Sequence, residues 1–173
     1  YGGLQALWGT IEGVKREELT VDLQELQAHL LLCYCGQSRL SALTNWNIFR
    51  AFFDGNPAVR RCFRAIAESS LGLYDVLQSG RLERLAKPIA AEWSARQQLA
   101  RGVSTTAIDR IGRAARKAGA SAMNVCGAGG GGCLFFVTPP RKRRAVSDAI
   151  QNAGAQVLDA RLVKRGVRCK TAI

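Results

Sequence analysis

The 173-residue sequence predicts an α+β fold, a ferredoxin-like split βαβ sandwich whose first helical crossover is enlarged. Three observations predict it. From residue 25 onward the apolar pattern runs strand, several helices, strand, strand, helix, strand. A glycine-rich turn at 127–132 separates two short strand-like runs near the C-terminal end. A hydrophobic share of 47% beside 22% charged residues supports a packed core, and no apolar run approaches the roughly 20 residues that cross a membrane.

Residues 1–21 predict a β-hairpin, with Leu4, Ala6 and Trp8 alternating, turns at Gly9 and Gly13, and a returning strand from Val14 to Val21. This hairpin is not part of the sandwich unit and is expected to be the remnant of a preceding domain. The division that follows is 1–22 for the remnant strands and 23–173 for the sandwich. Residues 25–35 (ELQAHLLLCYC) predict a strand apolar on both faces, hence central and covered.

Helices come next. A short one from Asn45 to Phe53 stops at Asp54-Gly55. Pro57 opens a second, where its missing N–H is harmless, and Val59, Cys62, Phe63, Ile66, Leu73 and Leu77 recur at helical spacing to Gly80. A third carries Leu82, Leu85, Ala86, Ile89, Trp93 and Leu99, with Pro88 kinking or splitting it. A fourth is capped at 104–106, buries Ala107, Ile108, Ile111, Ala114, Ala115 and Ala118, and ends at Gly119. Strands at 121–126 and 133–138 flank the glycine turn. A helix after Pro139-Pro140 and a strand at 155–163 complete the pattern.

The formal net charge is +12, from 25 basic against 13 acidic residues. Most of it is scattered along helices as a solvated surface; only Arg141-Lys142-Arg143-Arg144 is dense. Such charge suits nucleic acid, an acidic membrane surface or phosphorylated small molecules. The cysteines at 33, 35, 62, 126, 133 and 169 form no CxxC pair, and His29 is the only histidine, so neither a structural zinc site nor a Ser/Cys-His hydrolase is expected. His29 is read as structural. With no secretory signal in the sequence, reduced thiols and a cytoplasmic setting are expected.

Two stretches stand out as candidates for chemistry. Gly127, Ala128, Gly129, Gly130, Gly131 and Gly132 hold five glycines in six positions, where a simple hairpin turn needs one or two. The surplus predicts positive φ angles, or a close approach by backbone or phosphate; a plain surface turn is the alternative. No Lys-Ser/Thr follows and Cys133 opens a strand, which excludes a P-loop and a dinucleotide fingerprint. The second stretch is YCGQSRLS at 34–41, where Ser38 and Arg39 are candidates for holding a phosphate or sugar oxygen, against a plain loop.

CGAGGGGCLFFV at 126–137 resembles the third motif of the GHMP-superfamily small-molecule kinases, and the chain as a whole is similar to their C-terminal half. The opening YGG, GQSRLSALTNWN at 36–47 and AAEWSARQQLARGVSTTAID at 90–109 are most similar to the D-glycero-D-manno-heptose 7-phosphate kinase branch. The resemblance implies phosphoryl transfer from ATP, with Mg2+, to a sugar or sugar-phosphate hydroxyl. It implies a glycine turn that packs beside the phosphate loop and shapes the cleft, with Ser38 and Arg39 at the sugar-phosphate end. The family's nucleotide loop, magnesium-binding acid and catalytic aspartate do not occur in this sequence. No catalytic residue and no metal ligand are therefore expected here. The chain alone is expected to hold neither ATP nor Mg2+ and to be inactive. Expected partners are the sugar phosphate, ATP and a missing N-terminal domain, with self-association through an exposed sheet edge as a substitute. Neither nucleic acid nor a membrane is expected as a partner.

The rival reading is a non-catalytic basic ferredoxin-like module that binds nucleic acid or a small anionic ligand. Adjacent Phe135 and Phe136 speak against it, because neighbours on a strand point to opposite faces and make no stacking platform.

Overall fold

The computed structural model describes residues 2–36, 42–167 and 169. The predicted hairpin is present as β1 (Leu4–Thr10) and β2 (Gly13–Leu19), paired antiparallel with Leu4 opposite Leu19 and Thr10 opposite Gly13. It is packed down rather than free. Trp8 lies edge-on to Tyr74 at 5.0 Å, and its indole N–H donates to Glu17, which also accepts from the Tyr74 hydroxyl at 2.8 Å.

The continuous strand expected at 25–35 is a correction. Its first half is a short helix, α1 (Leu23–Ala28), and only Leu30–Tyr34 forms β3. The reason is capping. The Asp22 carboxylate accepts from the Gln24 and Glu25 amides, satisfying two of the donors a helix start leaves open. His29 closes α1, with Nδ1 3.0 Å from the Glu25 carbonyl, and its own carbonyl accepts from the Thr138 amide, which fits a structural histidine.

The helices follow the apolar spacing: α2 (Ala42–Phe53), α3 (Pro57–Gln78), α4 (Ala86–Gln97) and α5 (Thr106–Ala118). Asn56 caps α3 through its side chain, with Pro57 at the first helical position. The expected third helix is split into a single 3-10 turn (Leu82–Arg84) and α4, which leaves Pro88 in the first turn of α4, where a missing donor breaks no intrahelical bond. Thr105 caps α5 and Gly119 ends it at φ 111.

The remaining elements are β4 (Ala122–Val125), β5 (Cys133–Val137), α6 (Arg143–Asn152) and β6 (Gln156–Leu158), the last shorter than the 155–163 expected. The sheet order is β4-β5-β3-β6, every adjacent pair antiparallel, with Leu30 opposite Val137 and Val125 opposite Leu134. That is the split βαβ order expected, and the fold is α+β.

Alternation along the strands divides the core. Leu31, Cys33, Leu134 and Phe136 pack in one buried cluster with Ile108, Ile111 and Ala115 of α5 and Val146 and Ile150 of α6. Val137, with Leu30 and Phe135 beside it, packs instead with Leu77, Leu82, Leu85 and Ile89, and with Leu19 of the hairpin. Both phenylalanines of β5 are thus spent on packing, and neither presents a stacking surface.

The segment after β6 runs back along the hairpin. The Gly3 amide donates to the Val163 carbonyl at 2.8 Å, and the Leu162 amide donates to the Gln27 side chain at 2.7 Å.

Candidate functional site

The glycine turn joins β4 to β5, with the Cys126 amide donating to the Cys133 carbonyl at 2.8 Å to close its base. All five of its glycines have positive φ: 92 at Gly127, 85 at Gly129, 78 at Gly130, 153 at Gly131 and 80 at Gly132. Among the described residues, no residue other than glycine has positive φ. The composition of this turn is therefore conformational in origin, because an L side chain pays a steric cost at each of these angles.

Close approach is present too, and the approaching backbone belongs to this chain. A Cβ on Gly129 would lie 2.5 Å from the Val103 carbonyl oxygen and 3.0 Å from its Cγ1. The Gly130 amide donates to that same carbonyl at 2.8 Å, and Val103 is 1% exposed. Val103 stands in the loop that leads to Thr105 and the start of α5, so the turn lies against the segment entering that helix. Around Gly127 and Gly132 there is open space.

Two further anchors hold the turn. The Arg96 guanidinium donates to the Gly127 carbonyl at 3.0 Å and pairs with Glu92 one turn earlier on α4. Glu92 also accepts from the Asn124 side-chain amide on β4, so one carboxylate links α4, β4 and the turn. On the other side the Cys35 amide donates to the Gly132 carbonyl at 2.9 Å. Cys35 and Gly36 end the β3 run, so both stretches singled out from the sequence leave the sheet at the same end. Ser38 and Arg39 themselves lie outside the described residues.

Sequence reasoning missed Glu92, Arg96, Asn124 and Val103. The Glu92–Arg96 spacing of four, acid first, on a helix was the available signal for the ion pair. Nothing local marked Asn124 or Val103 as their neighbours, since these contacts span 26 to 32 positions.

The described residues do not suit Mg2+: no group of three or more His, Cys, Asp or Glu is placed to hold a metal. The carboxylate beside the turn, Glu92, is engaged by Arg96 and Asn124, and Asp109 accepts from the Ser104 hydroxyl at 2.6 Å. No step through the metal is derived from these residues.

Burial, reinforced by the nearby Cys35 and Cys133 thiols, pushes the Cys33 thiol from 9.0 up to about 12. The folded state therefore holds this proton more tightly than the unfolded chain. The resulting stability is complete below pH 9.0 and is lost as pH rises toward about 12. Denaturant midpoints across this window should fall more steeply for the natural protein than for Cys33→Ala; parallel curves would contradict this origin.

Residues 73–156, from the last turns of α3 to the first residue of β6, match the family described as GHMP kinases C terminal. A mevalonate kinase from Thermococcus gammatolerans is 36% identical over 101 residues, 58% of this chain and 29% of that protein. A D-glycero-alpha-D-manno-heptose 7-phosphate kinase from Campylobacter jejuni is 25% identical over 114 residues, 66% of this chain and 34% of that protein. The chain thus spans about a third of the length of these relatives. Among solved structures, L. major mevalonate kinase in complex with R-mevalonate superposes with a TM-score of 0.74 at 18% identity, covering 88% of this chain and 45% of that one, a likeness of fold alone. The heptose-kinase branch expected from the sequence is not singled out, because the mevalonate kinase is the more identical relative. Residues 73–156 are thus similar to a GHMP kinase C-terminal domain, and the chain has the α+β fold that such kinases share.

Proposed function

We propose that this chain is the substrate-side portion of an ATP-dependent small-molecule kinase that phosphorylates a hydroxyl of a sugar phosphate, with heptose 7-phosphate as acceptor. The observation that carries the reading is the glycine turn. Its five positive-φ positions hold a backbone shape closed to other residues, fixed from Val103, Arg96 and Cys35, with space left beside Gly127 and Gly132. Phosphoryl transfer depends chiefly on positioning and charge neutralisation, and a rigid turn free of side chains serves positioning. In this reading 127–132 support the ATP loop and line the cleft, Ser38 and Arg39 contact the sugar phosphate, and the proton chemistry and Mg2+ belong to a separate N-terminal lobe. The hairpin at 1–22 is then that lobe's contribution, docked on α3 through Trp8 and Tyr74.

The sugar acceptor is supported by the 36–47 and 90–109 stretches and by the 114-residue match to the Campylobacter enzyme. Mevalonate is the second reading, favoured by the higher identity of the Thermococcus protein. The chain should show no turnover by itself with ATP, Mg2+ and either acceptor. Joined to the N-terminal portion of the Campylobacter kinase, it should transfer phosphate to heptose 7-phosphate. Transfer to mevalonate alone would replace the acceptor. A well-folded fusion inactive on both would remove the kinase reading.

A further inference from the structure

Helix α2 has two apolar faces, and among the described residues only one of them packs into the core. Ile48 is buried in the main cluster, with Ala51 and Phe52 packed against it. On the other side, Trp46, Phe49 and Phe53 are 67%, 51% and 77% exposed. At 100° per residue, positions 46, 49, 50 and 53 fall within about 100° of the helix circumference, so the three rings and Arg50 share one outward face. Such a face is not explained by scattered surface apolar residues, because three large aromatics are contiguous on it.

Its rim is basic. Arg50 is exposed, and Arg60, Arg61 and Arg64 are exposed at the start of α3, immediately after the Asp54-Gly55 turn. Arg60 reaches back, its guanidinium 5.7 Å from the centre of the Phe52 ring and its Nε donating to the Phe52 carbonyl at 3.2 Å. Between 45 and 64 the only acidic residue is Asp54, 3.7 Å from Arg50.

Two properties decide what this face suits. Three partly exposed aromatic rings offer on the order of 400 Å². That is about half of the roughly 800 Å² per partner in a stable protein interface. A second copy would also bring together two chains of net charge +12 along arginine-rimmed faces. An anionic lipid surface meets neither obstacle. It needs no complementary shape, accepts Trp and Phe at the boundary between headgroups and acyl chains, and pairs with arginine.

We propose that the outer face of α2 seats this protein on anionic lipid. Trp46, Phe49 and Phe53 enter the interface while Arg50, Arg60, Arg61 and Arg64 contact headgroup phosphates. No helix among the described residues is long and apolar enough to cross a membrane, so the contact is peripheral. The expectation that no membrane partner is involved rested on spanning segments, and a helix lying in the interface is a separate class. The proposal does not depend on the kinase reading.

Flotation of the 173-residue chain with large vesicles tests it. Phosphatidylcholine vesicles containing phosphatidylglycerol should capture the chain, and pure phosphatidylcholine should capture it at least about tenfold less well. The triple variant Trp46→Ser, Phe49→Ser, Phe53→Ser should lose about tenfold or more of the anionic binding, with its melting temperature preserved because these rings are outside the core. Should the triple variant fold poorly, Phe53→Ser alone, at the most exposed ring, should show a smaller loss in the same direction. Absence of capture by anionic vesicles overturns the proposal. Equal capture of natural and variant chains overturns it in favour of diffuse basic attraction. A concentration-dependent dimer abolished by the triple variant assigns the face to a second copy instead. Single-stranded RNA that displaces the chain from vesicles at equal phosphate concentration, in a manner requiring the three rings, assigns it to nucleic acid.

Discussion

Gly129→Ala is expected to destabilise the chain by about 3 kcal/mol, combining the left-handed backbone cost with loss of the hydrogen bond beside it. The methyl would sit 2.5 Å from the Val103 carbonyl oxygen, a backbone atom that no rotamer change can move aside. Relief requires the turn to lift, and lifting it lengthens the Gly130–Val103 hydrogen bond. For a domain of this size the change corresponds to a melting temperature lower by roughly 6–12 °C. Gly127→Ala is the control. It has φ 92 but open space around it, so only the backbone cost of about 1–2 kcal/mol applies. Thermal unfolding followed by circular dichroism compares the two. Equal losses would show that the approach of Val103 contributes nothing.

The second large effect is expected at Glu92. Its side chain is 12% exposed and serves both Arg96 and Asn124. Glu92→Ala strands a guanidinium and a buried amide donor together, and breaking a buried pair costs about 3–5 kcal/mol. Arg96 retains 29% exposure and can turn toward water, which places the expected loss near the lower end, about 3 kcal/mol. Glu92→Gln keeps an acceptor for Asn124 and removes only the charge, so about 1–2 kcal/mol is expected. Urea unfolding with an unchanged slope measures both. If Ala and Gln cost the same, the acceptor role toward Asn124 is without weight. Because Arg96 also holds the Gly127 carbonyl, amide exchange in the turn should quicken in Glu92→Ala beyond the change in global stability.

The elements that could be read from the sequence are those whose determinants are local. Pro57 and Gly119 mark helix limits by backbone geometry alone, and the glycines of 127–132 announce their φ angles by composition. The segment 25–35 was misread because a leucine-rich run looks the same in a helix and in a strand. The discriminating residue, Asp22, lay three positions outside it and acts through its side chain. The strand expected at 155–163 stops at Leu158, opposite Leu32 and two residues short of the start of β3, because the chain beyond it turns to hydrogen bonds with Gln27 and Gly3, partners distant in sequence. The candidate site was legible in part for the same reason. Its glycines declare themselves, while Val103, Arg96 and Asn124 reach the turn only after α4, α5 and the sheet have come together. The outer aromatics of α2 were hidden differently. Both faces of that helix are apolar, and periodicity does not say which one the core will take.

The pairing of β3 with β5 joins residues separated by about a hundred positions of chain, with four helices in between. Closing so long a loop has an entropic cost before any ladder hydrogen bond can offset it. The sheet's central seam is thus a late event in assembly, and α3, α4 and α5, built from near neighbours, form ahead of it. A nascent chain would remain without its middle strand until residue 137 had been made, leaving the leucine-rich β3 unpartnered in the meantime. That interval is when this protein is most vulnerable to aggregation.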